Sequence, residues 1–221
     1  MFQLETLQTT YRLRFESQQQ RRTQVWDVLT ANFFQKFINI NDAVLDIGAG
    51  FCEFANAVRC RQVIALDLNP QTKAMANPNV NVITQSVTEP WPLETESIDI
   101  AFSSNFLEHL PDKQSVCFCL SEARRILKPG GKLLLLGPNI RFCPDIYWDF
   151  FDHLVPLSDR SMMEALRLKD FEVAVSIPRF LPYTMSGAMP AHPLLVKIYL
   201  RLPWAWHIFG AQFFLVGKKP D

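Results

Sequence analysis

Seven residues carry the first chemical signal in the chain: Val44-Leu45-Asp46-Ile47-Gly48-Ala49-Gly50, an apolar run that ends in an acid and turns through two glycines toward a helix starting near Cys52. Glycines at such a turn let a ligand approach the backbone closely, and the N-terminus of the following helix points its N–H groups at that ligand. A second acid, Asp67, ends the next apolar run, Val63-Ile64-Ala65-Leu66-Asp67, 21 residues after Asp46. A carboxylate at that spacing can accept both hydroxyls of a ribose. Glycine turn and acid together indicate a nucleoside site.

Charge separates the two nucleoside cofactors that compete for such a site. A dinucleotide needs a third close glycine for its pyrophosphate, in the pattern GxGxxG, but this chain has Glu53 in that slot, and a carboxylate there repels phosphate. S-adenosylmethionine has no phosphate, and its sulfonium and ammonium groups are attracted by an acid placed where Asp46 stands.

Further along, Ser97-Ile98-Asp99-Ile100-Ala101-Phe102-Ser103-Ser104-Asn105-Phe106-Leu107-Glu108-His109-Leu110-Pro111 and Ala123-Arg124-Arg125-Ile126-Leu127-Lys128-Pro129-Gly130-Gly131-Lys132-Leu133 follow in order. With these, residues 43 to 137 resemble the class I S-adenosylmethionine-dependent methyltransferases, and the whole chain looks closest to small bacterial members found with glycan and natural-product pathways. The resemblance implies S-adenosylmethionine as cofactor. It implies that Gly48, Ala49 and Gly50 line the methionine and ribose portions, that Asp67 with Leu68 binds the ribose, and that backbone around Ser104 and Asn105 closes the methionine end. Two departures stand out. Cys52 occupies a position that is often a third glycine in the family, and Gln85-Ser86-Val87-Thr88 lacks the acid many members use for the adenine amino group. Adenine recognition is then left to Ser86, the Val87 backbone and apolar packing.

Methyl transfer is an in-line displacement in which the protein mainly aligns the partners, and a base helps when the acceptor is a hydroxyl. His153, in Trp148-Asp149-Phe150-Phe151-Asp152-His153, is the preferred base, with Asp149 or Asp152 to orient it. His109 reads as a cofactor-edge or capping residue. Cys117 and Cys119 face different directions on a helix, Trp91 covers the adenine side, and Tyr11, Arg12 and Arg14 resemble an N-terminal lid or a solvated helix face. With four scattered histidines and no ligand-spaced cluster, no metal is expected.

The elements that must position these residues alternate. β-rich runs at Ala43–Ile47, Val63–Leu68, Val80–Thr84, Ile98–Ser103, Lys132–Leu136, Glu172–Ile177 and Gln212–Val216 are separated by helical or turn segments. That predicts an α/β, Rossmann-like, seven-stranded, mostly parallel sheet with helices on both faces; the resemblance adds an antiparallel last strand. Residues 1 to 41 form a helical prologue, with Val25, Leu29, Phe33 and Phe37 at four-residue spacing. Residues 138–157 and 178–210 are substrate-side inserts, since long segments at strand ends of an open sheet build the acceptor site.

A single domain of 221 residues with 48% hydrophobic content can bury roughly 70% of its unfolded surface. Lys+Arg and Asp+Glu are both 22, so no uniform positive field calls for a nucleic-acid partner. Five cysteines without a CxxC pair read as reduced thiols of a cytoplasmic protein, and residues 1 to 20 are unlike a signal peptide. In the tail, Leu194, Leu195, Ile198, Tyr199 and Leu202 form a stripe that is read first as packing on the sheet. Residues 193–210 also fit a peripheral membrane contact, because Lys197 and Arg201 lie off the stripe and Trp204 and Trp206 follow. The reading as a whole is methyl transfer to a small-molecule or glycan acceptor, with oxygen as the preferred atom. Its alternatives are a cofactor-binding protein without transfer activity and a membrane-peripheral enzyme acting on a lipid-linked saccharide.

Overall fold

The computed structural model describes residues 19–183 and 192–221; Tyr11, Arg12 and Arg14 lie outside them. Seven strands form one sheet: β1 (Ala43–Ile47), β2 (Gln62–Asp67), β3 (Val80–Thr84), β4 (Ile98–Ser104), β5 (Leu127–Pro138), β6 (Glu172–Ile177) and β7 (Gln212–Lys218). Their order is β3-β2-β1-β4-β5-β7-β6. The first five are mutually parallel, and β7 runs antiparallel to both of its neighbours. The period-2 pattern sends alternate residues to two cores. Leu45, Leu66, Ala101 and Leu135 pack with Leu120 and Leu166 on one face, while Val44, Ala65, Phe102 and Leu134 pack with Leu29 and Phe34 on the other. Both cores are therefore covered by helices, which is what two buried faces require.

Three expectations need correction. β5 starts at Leu127, not Lys132, so Lys128-Pro129-Gly130-Gly131 lies inside the strand. The register with β4 shifts between Ile98 and Ile100, opposite this stretch, and Gly130 supplies a left-handed φ of 73°. The Pro-Gly-Gly segment is thus a bulge in the ladder, one of the places a sheet tolerates proline.

The prologue is also less uniform than its spacing suggests. Helix α1 (Gln19–Asn32) ends where Phe33 leaves helical geometry, and a 3-10 turn follows at Phe34–Phe37. This break lets Phe33 and Phe34 both enter the core. Phe33 stacks on Phe180 at 4.1 Å, and Phe34 meets Phe102 edge-on at 5.1 Å. Aromatic pairs of this kind add about 0.5–1.5 kcal/mol each beyond area burial.

The remaining helices are α2 (Glu53–Ala57), α3 (Thr72–Met75), α4 (Lys113–Ile126), α5 (Pro144–Tyr147), α6 (Asp159–Leu168), α7 (Pro193–Leu200) and α8 (Pro203–Phe209). In α7 the stripe expected to pack on the sheet is divided. Val196, Tyr199 and Leu200 face the core, whereas Leu194, Leu195 and Ile198 are exposed. The helix is apolar on both sides, and the sequence pattern does not distinguish them. No helix among the described residues is long and apolar enough to cross a membrane. All five cysteines are free thiols.

Candidate functional site

The chain leaves β1 toward β2 on one side and enters β4 on the other, so a crevice opens at the carboxyl ends of β1 and β4. Ile47 is in register with both Leu66 and Ser103 there. Gly48, Gly50 and Cys52 all adopt left-handed φ values, 70°, 54° and 60°. The Gly48 and Ala49 N–H groups donate to the Leu66 carbonyl at 2.8 and 3.3 Å, pinning the turn to the end of β2. A Cβ at Gly48 would sit 2.2 Å from the Phe106 ring, so glycine is required twice over, by φ and by space. Cys52 holds its left-handed φ without glycine's freedom, a conformation that costs roughly 1–2 kcal/mol. Its thiol is buried, and that burial, followed by the charges of Asp46, Asp67 and Glu53, pushes its pKa up to about 12.

Three carboxyl groups are buried around this turn: Asp46, Asp67 and Glu53. Burial is the main cause that pushes Asp46 well above the usual carboxylate range, and the charges of Asp67 and Glu53 push it the same way. Asp67 is raised by burial too, against the backbone N–H groups of Asn69, Gly50 and Leu68 that oppose the shift. Glu53 accepts a 2.9 Å bond from Arg22 of α1, which ties the prologue to the turn. A cation beside Asp46 and Asp67 would favour the ionised form of each. A nucleoside with a sulfonium fits these residues; a pyrophosphate does not.

Asp67 does more than the sequence suggests. Its Oδ2 accepts the Gly50 N–H and its Oδ1 accepts the Asn69 N–H, both at 2.7 Å. It therefore holds the glycine turn closed, and with the Leu68 N–H also directed at it the carboxylate still keeps accepting capacity for a ribose hydroxyl. Leu68 follows at the strand end. The loop after β3 is brought alongside by the Gln85 N–H, which donates to the Asp67 carbonyl at 3.0 Å. In that loop Ser86 Oγ lies 2.8 Å from Thr88 Oγ1, and the Val87 carbonyl accepts the Trp91 indole N–H at 3.1 Å. Trp91 is a buried core residue beneath the loop.

Ser104 and Asn105 stand at the end of β4, but the Asn105 N–H is committed to the Leu136 carbonyl at 2.9 Å and its side-chain amide donates to Ser104 Oγ. Instead the ring of Phe106 lies over Gly48. Sequence reasoning missed this residue because nothing in its spacing marks it.

The same loop runs directly into a second cluster. Glu108 is buried, and burial raises its pKa while the neighbouring His109 opposes the shift. His109 Nε2 is 3.9 Å from Glu108 Oε1, and His109 Nδ1 is 3.0 Å from the Asp152 carbonyl and 3.3 Å from its carboxylate. Leu154 and Val155 donate backbone N–H bonds of 2.9 and 3.0 Å to the Glu108 carbonyl, docking the 138–157 insert on this loop. His153 is buried there against the rings of His109, Tyr147 and Phe150, with Tyr183 Oη 3.5 Å from its Nε2. Asp149 is exposed, and the carboxylate of Asp152 reaches His109. The histidines expected to be scattered are in part gathered: Glu108, His109 and His153 bring one ligating atom each within 4.8 Å of one another. That donor set could hold a divalent cation or pass a proton.

Residues 45–135 match the family model described as a methyltransferase domain. Methyltransferase str2 of Strobilurus tenacellus is 35% identical over 96 residues, 42% of this chain and 34% of that protein. A Mycolicibacterium smegmatis protein named probable S-adenosylmethionine-dependent methyltransferase is 33% identical over 138 residues, 59% of this chain and 52% of that one. The chain thus spans about a third and about half the length of these two curated relatives. In fold it matches a crystal structure of a SAM-dependent methyltransferase from Archaeoglobus fulgidus, with a TM-score of 0.65, 17% identity and coverage of 88% and 94% of the two chains.

Proposed function

We propose that this chain, whose residues 45–135 match a methyltransferase-domain model, is a class I S-adenosylmethionine-dependent methyltransferase that transfers a methyl group to an oxygen of a small-molecule or glycan acceptor. The observation that carries the reading is the loop after β4. Phe106 covers the glycine turn at one end, and Glu108 and His109 meet His153 at the other. Donor and acceptor sides are therefore joined by one short, hydrogen-bonded segment, as an in-line displacement needs.

When bound, S-adenosylmethionine would supply an electrophilic methyl carbon on a positively charged sulfur. Asp67 and Leu68 would hold its ribose, Gly48 to Gly50 its methionine portion, Ser86 and Val87 its adenine, and Asp46 would favour its positive charge. On the other side, His153 takes the acceptor hydroxyl proton as the oxygen forms its new bond to carbon. Phe150 and Tyr183 lie against His153 over the fully buried Tyr147, and Trp148 and Phe151 are exposed on the same insert. Such a lining suits a sugar ring or another flat organic acceptor.

Calorimetric titration with S-adenosylmethionine and S-adenosylhomocysteine, followed by a turnover screen over sugars and phenols, tests the proposal. Binding and turnover are both expected to survive a chelator. Loss of turnover with retained binding would assign Glu108, His109 and His153 to a divalent ion in place of proton transfer. Binding without turnover on any acceptor would favour a cofactor-binding protein that does not transfer.

A further inference from the structure

The surface built by α7 and α8 has a chemistry that methyl transfer alone does not use. On α7, Leu194, Leu195 and Ile198 are exposed, and on α8 so are Trp204, Ile208 and Phe209. Lys197 and Arg201, four residues apart, stand exposed together at one edge of the α7 arc. Residues 192–211 contain no acid, in a chain whose charges balance over its whole length.

These helices form a fixed platform. The Tyr199 hydroxyl donates to the Phe180 carbonyl at 2.6 Å, the Trp206 indole donates to the Tyr199 carbonyl at 3.0 Å, and the Arg179 guanidinium donates to the Gly210 and Ile208 carbonyls at 2.7 Å each. Apolar side chains on so well-anchored a support are held out in solvent, which costs free energy unless something covers them.

A cleft lined by Arg141, Phe142, Arg160, Met163, Arg179 and His207 adjoins α8. The guanidinium groups of Arg141 and Arg179 both lie over Phe142, 5.1 and 4.8 Å from its ring centre. The one acid at this cleft, Asp159, is buried and already accepts from Arg141 and Asn139 at 2.8 Å. The cleft is therefore net positive, and His207 of α8 joins it to the apolar face. Planar guanidinium groups suit a phosphate oxygen pair.

We propose that α7 and α8 dock on an anionic phospholipid bilayer, with the apolar side chains in the headgroup boundary and a lipid phosphate in the arginine-lined cleft. Charge favours this occupant over a second copy of the chain: two such faces would bring Lys197 and Arg201 of both copies together, whereas an anionic leaflet neutralises them. Tryptophan at the rim and basic residues beside an apolar arc are the composition of interfacial helices. The inference does not depend on the methyl-transfer reading, since the donor site involves none of these residues.

Co-sedimentation of the full chain with vesicles of phosphatidylcholine, with and without phosphatidylglycerol, tests it. Partition is expected only with the anionic lipid. The double substitution K197Q and R201Q should lower it by about 30-fold, the equivalent of about 1 kcal/mol per basic residue at a charged surface. Trp204→Ser with Ile208→Ser should lower it in the same direction, and Arg160→Gln by a smaller factor, while S-adenosylmethionine affinity stays as in the wild type. The proposal is overturned by no partition, by partition that ignores these substitutions, by a dimer that they dissolve without vesicle binding, or by inorganic phosphate binding in the cleft without vesicle binding. A wild-type chain that binds vesicles but not S-adenosylmethionine would refute the donor site and leave this surface standing.

Discussion

The donor and acceptor sides of the crevice are both built around buried acids, yet they are held in opposite ways. Asp46, Asp67 and Glu53 sit on or beside strand ends; Gly50 and Asn69 clamp Asp67 through the backbone at 2.7 Å, and Arg22 of α1 holds Glu53 at 2.9 Å. Glu108, His109 and His153 come from two segments more than forty residues apart, and ring packing with two N–H bonds to the Glu108 carbonyl holds them together. In the proposed reading, backbone clamps hold the cofactor side, and side-chain packing on an insert holds the acceptor side.

Substitutions can break this division, and the largest effect is expected at the glycine turn. Gly48→Ala forces a left-handed alanine against the Phe106 ring, so it should abolish measurable cofactor binding and cost about 2–4 kcal/mol of stability. Calorimetry and denaturant unfolding check the two parts. If Phe106→Ala in the same chain restores some binding, the clash is with that ring.

On the acceptor side, His153→Ala should slow the chemical step by roughly 10²-fold or more and leave cofactor affinity nearly unchanged, because a base acts on the nucleophile. Single-turnover kinetics with an oxygen acceptor measure this directly. A wild-type rate in the folded variant contradicts the assignment.

Asp67→Ala should weaken cofactor binding by about 1.5–3 kcal/mol, the range for charge-assisted hydrogen bonds. Read as a strand-end residue, Asp67 would leave the fold intact when lost. Its bonds to Gly50 and Asn69 predict lower stability as well, visible as a shifted denaturant midpoint.

The smallest effect is a pH dependence at Asp46. Burial raises this carboxyl above its ordinary value of 3.8. The contribution of Asp46 to stability is therefore fully present below that value and is lost as pH rises through the raised pKa. Cofactor affinity should move the other way, rising as Asp46 ionises toward a cation. Asp46→Asn should flatten both profiles, raising stability at neutral pH while weakening the cofactor; a variant that keeps the wild-type affinity profile would remove Asp46 from the site.

The strands and the glycine turn were largely legible in the sequence and the Glu108, His109 and His153 cluster was not, for the same reason that they are built differently. Alternating apolar runs located all seven strands, since a strand's period and its turn residues are local properties. Glycines and an acid at fixed spacing marked the turn. Cys52, read as a minor departure from glycine, proves to occupy a left-handed position that explains why glycine is common there. Phe106 over Gly48, the Asn105 N–H spent on Leu136, and Glu108 beside His153 are products of tertiary packing, and no local pattern encodes them. The bulge that places Lys128 to Gly131 inside β5 looked like a turn because proline and glycine punctuate both. In α7 the apolar residues on both faces hid which side meets the core.

The account rests on a cation-binding donor site that is separate from the acceptor-side cluster. Its most direct test is calorimetric titration of S-adenosylmethionine into the wild type, Asp67→Ala and His153→Ala under one set of conditions. One-to-one binding that Asp67→Ala weakens by roughly ten-fold or more and His153→Ala leaves within about two-fold is the predicted result. No binding by the wild type, or binding that depends on His153 and ignores Asp67, would contradict it.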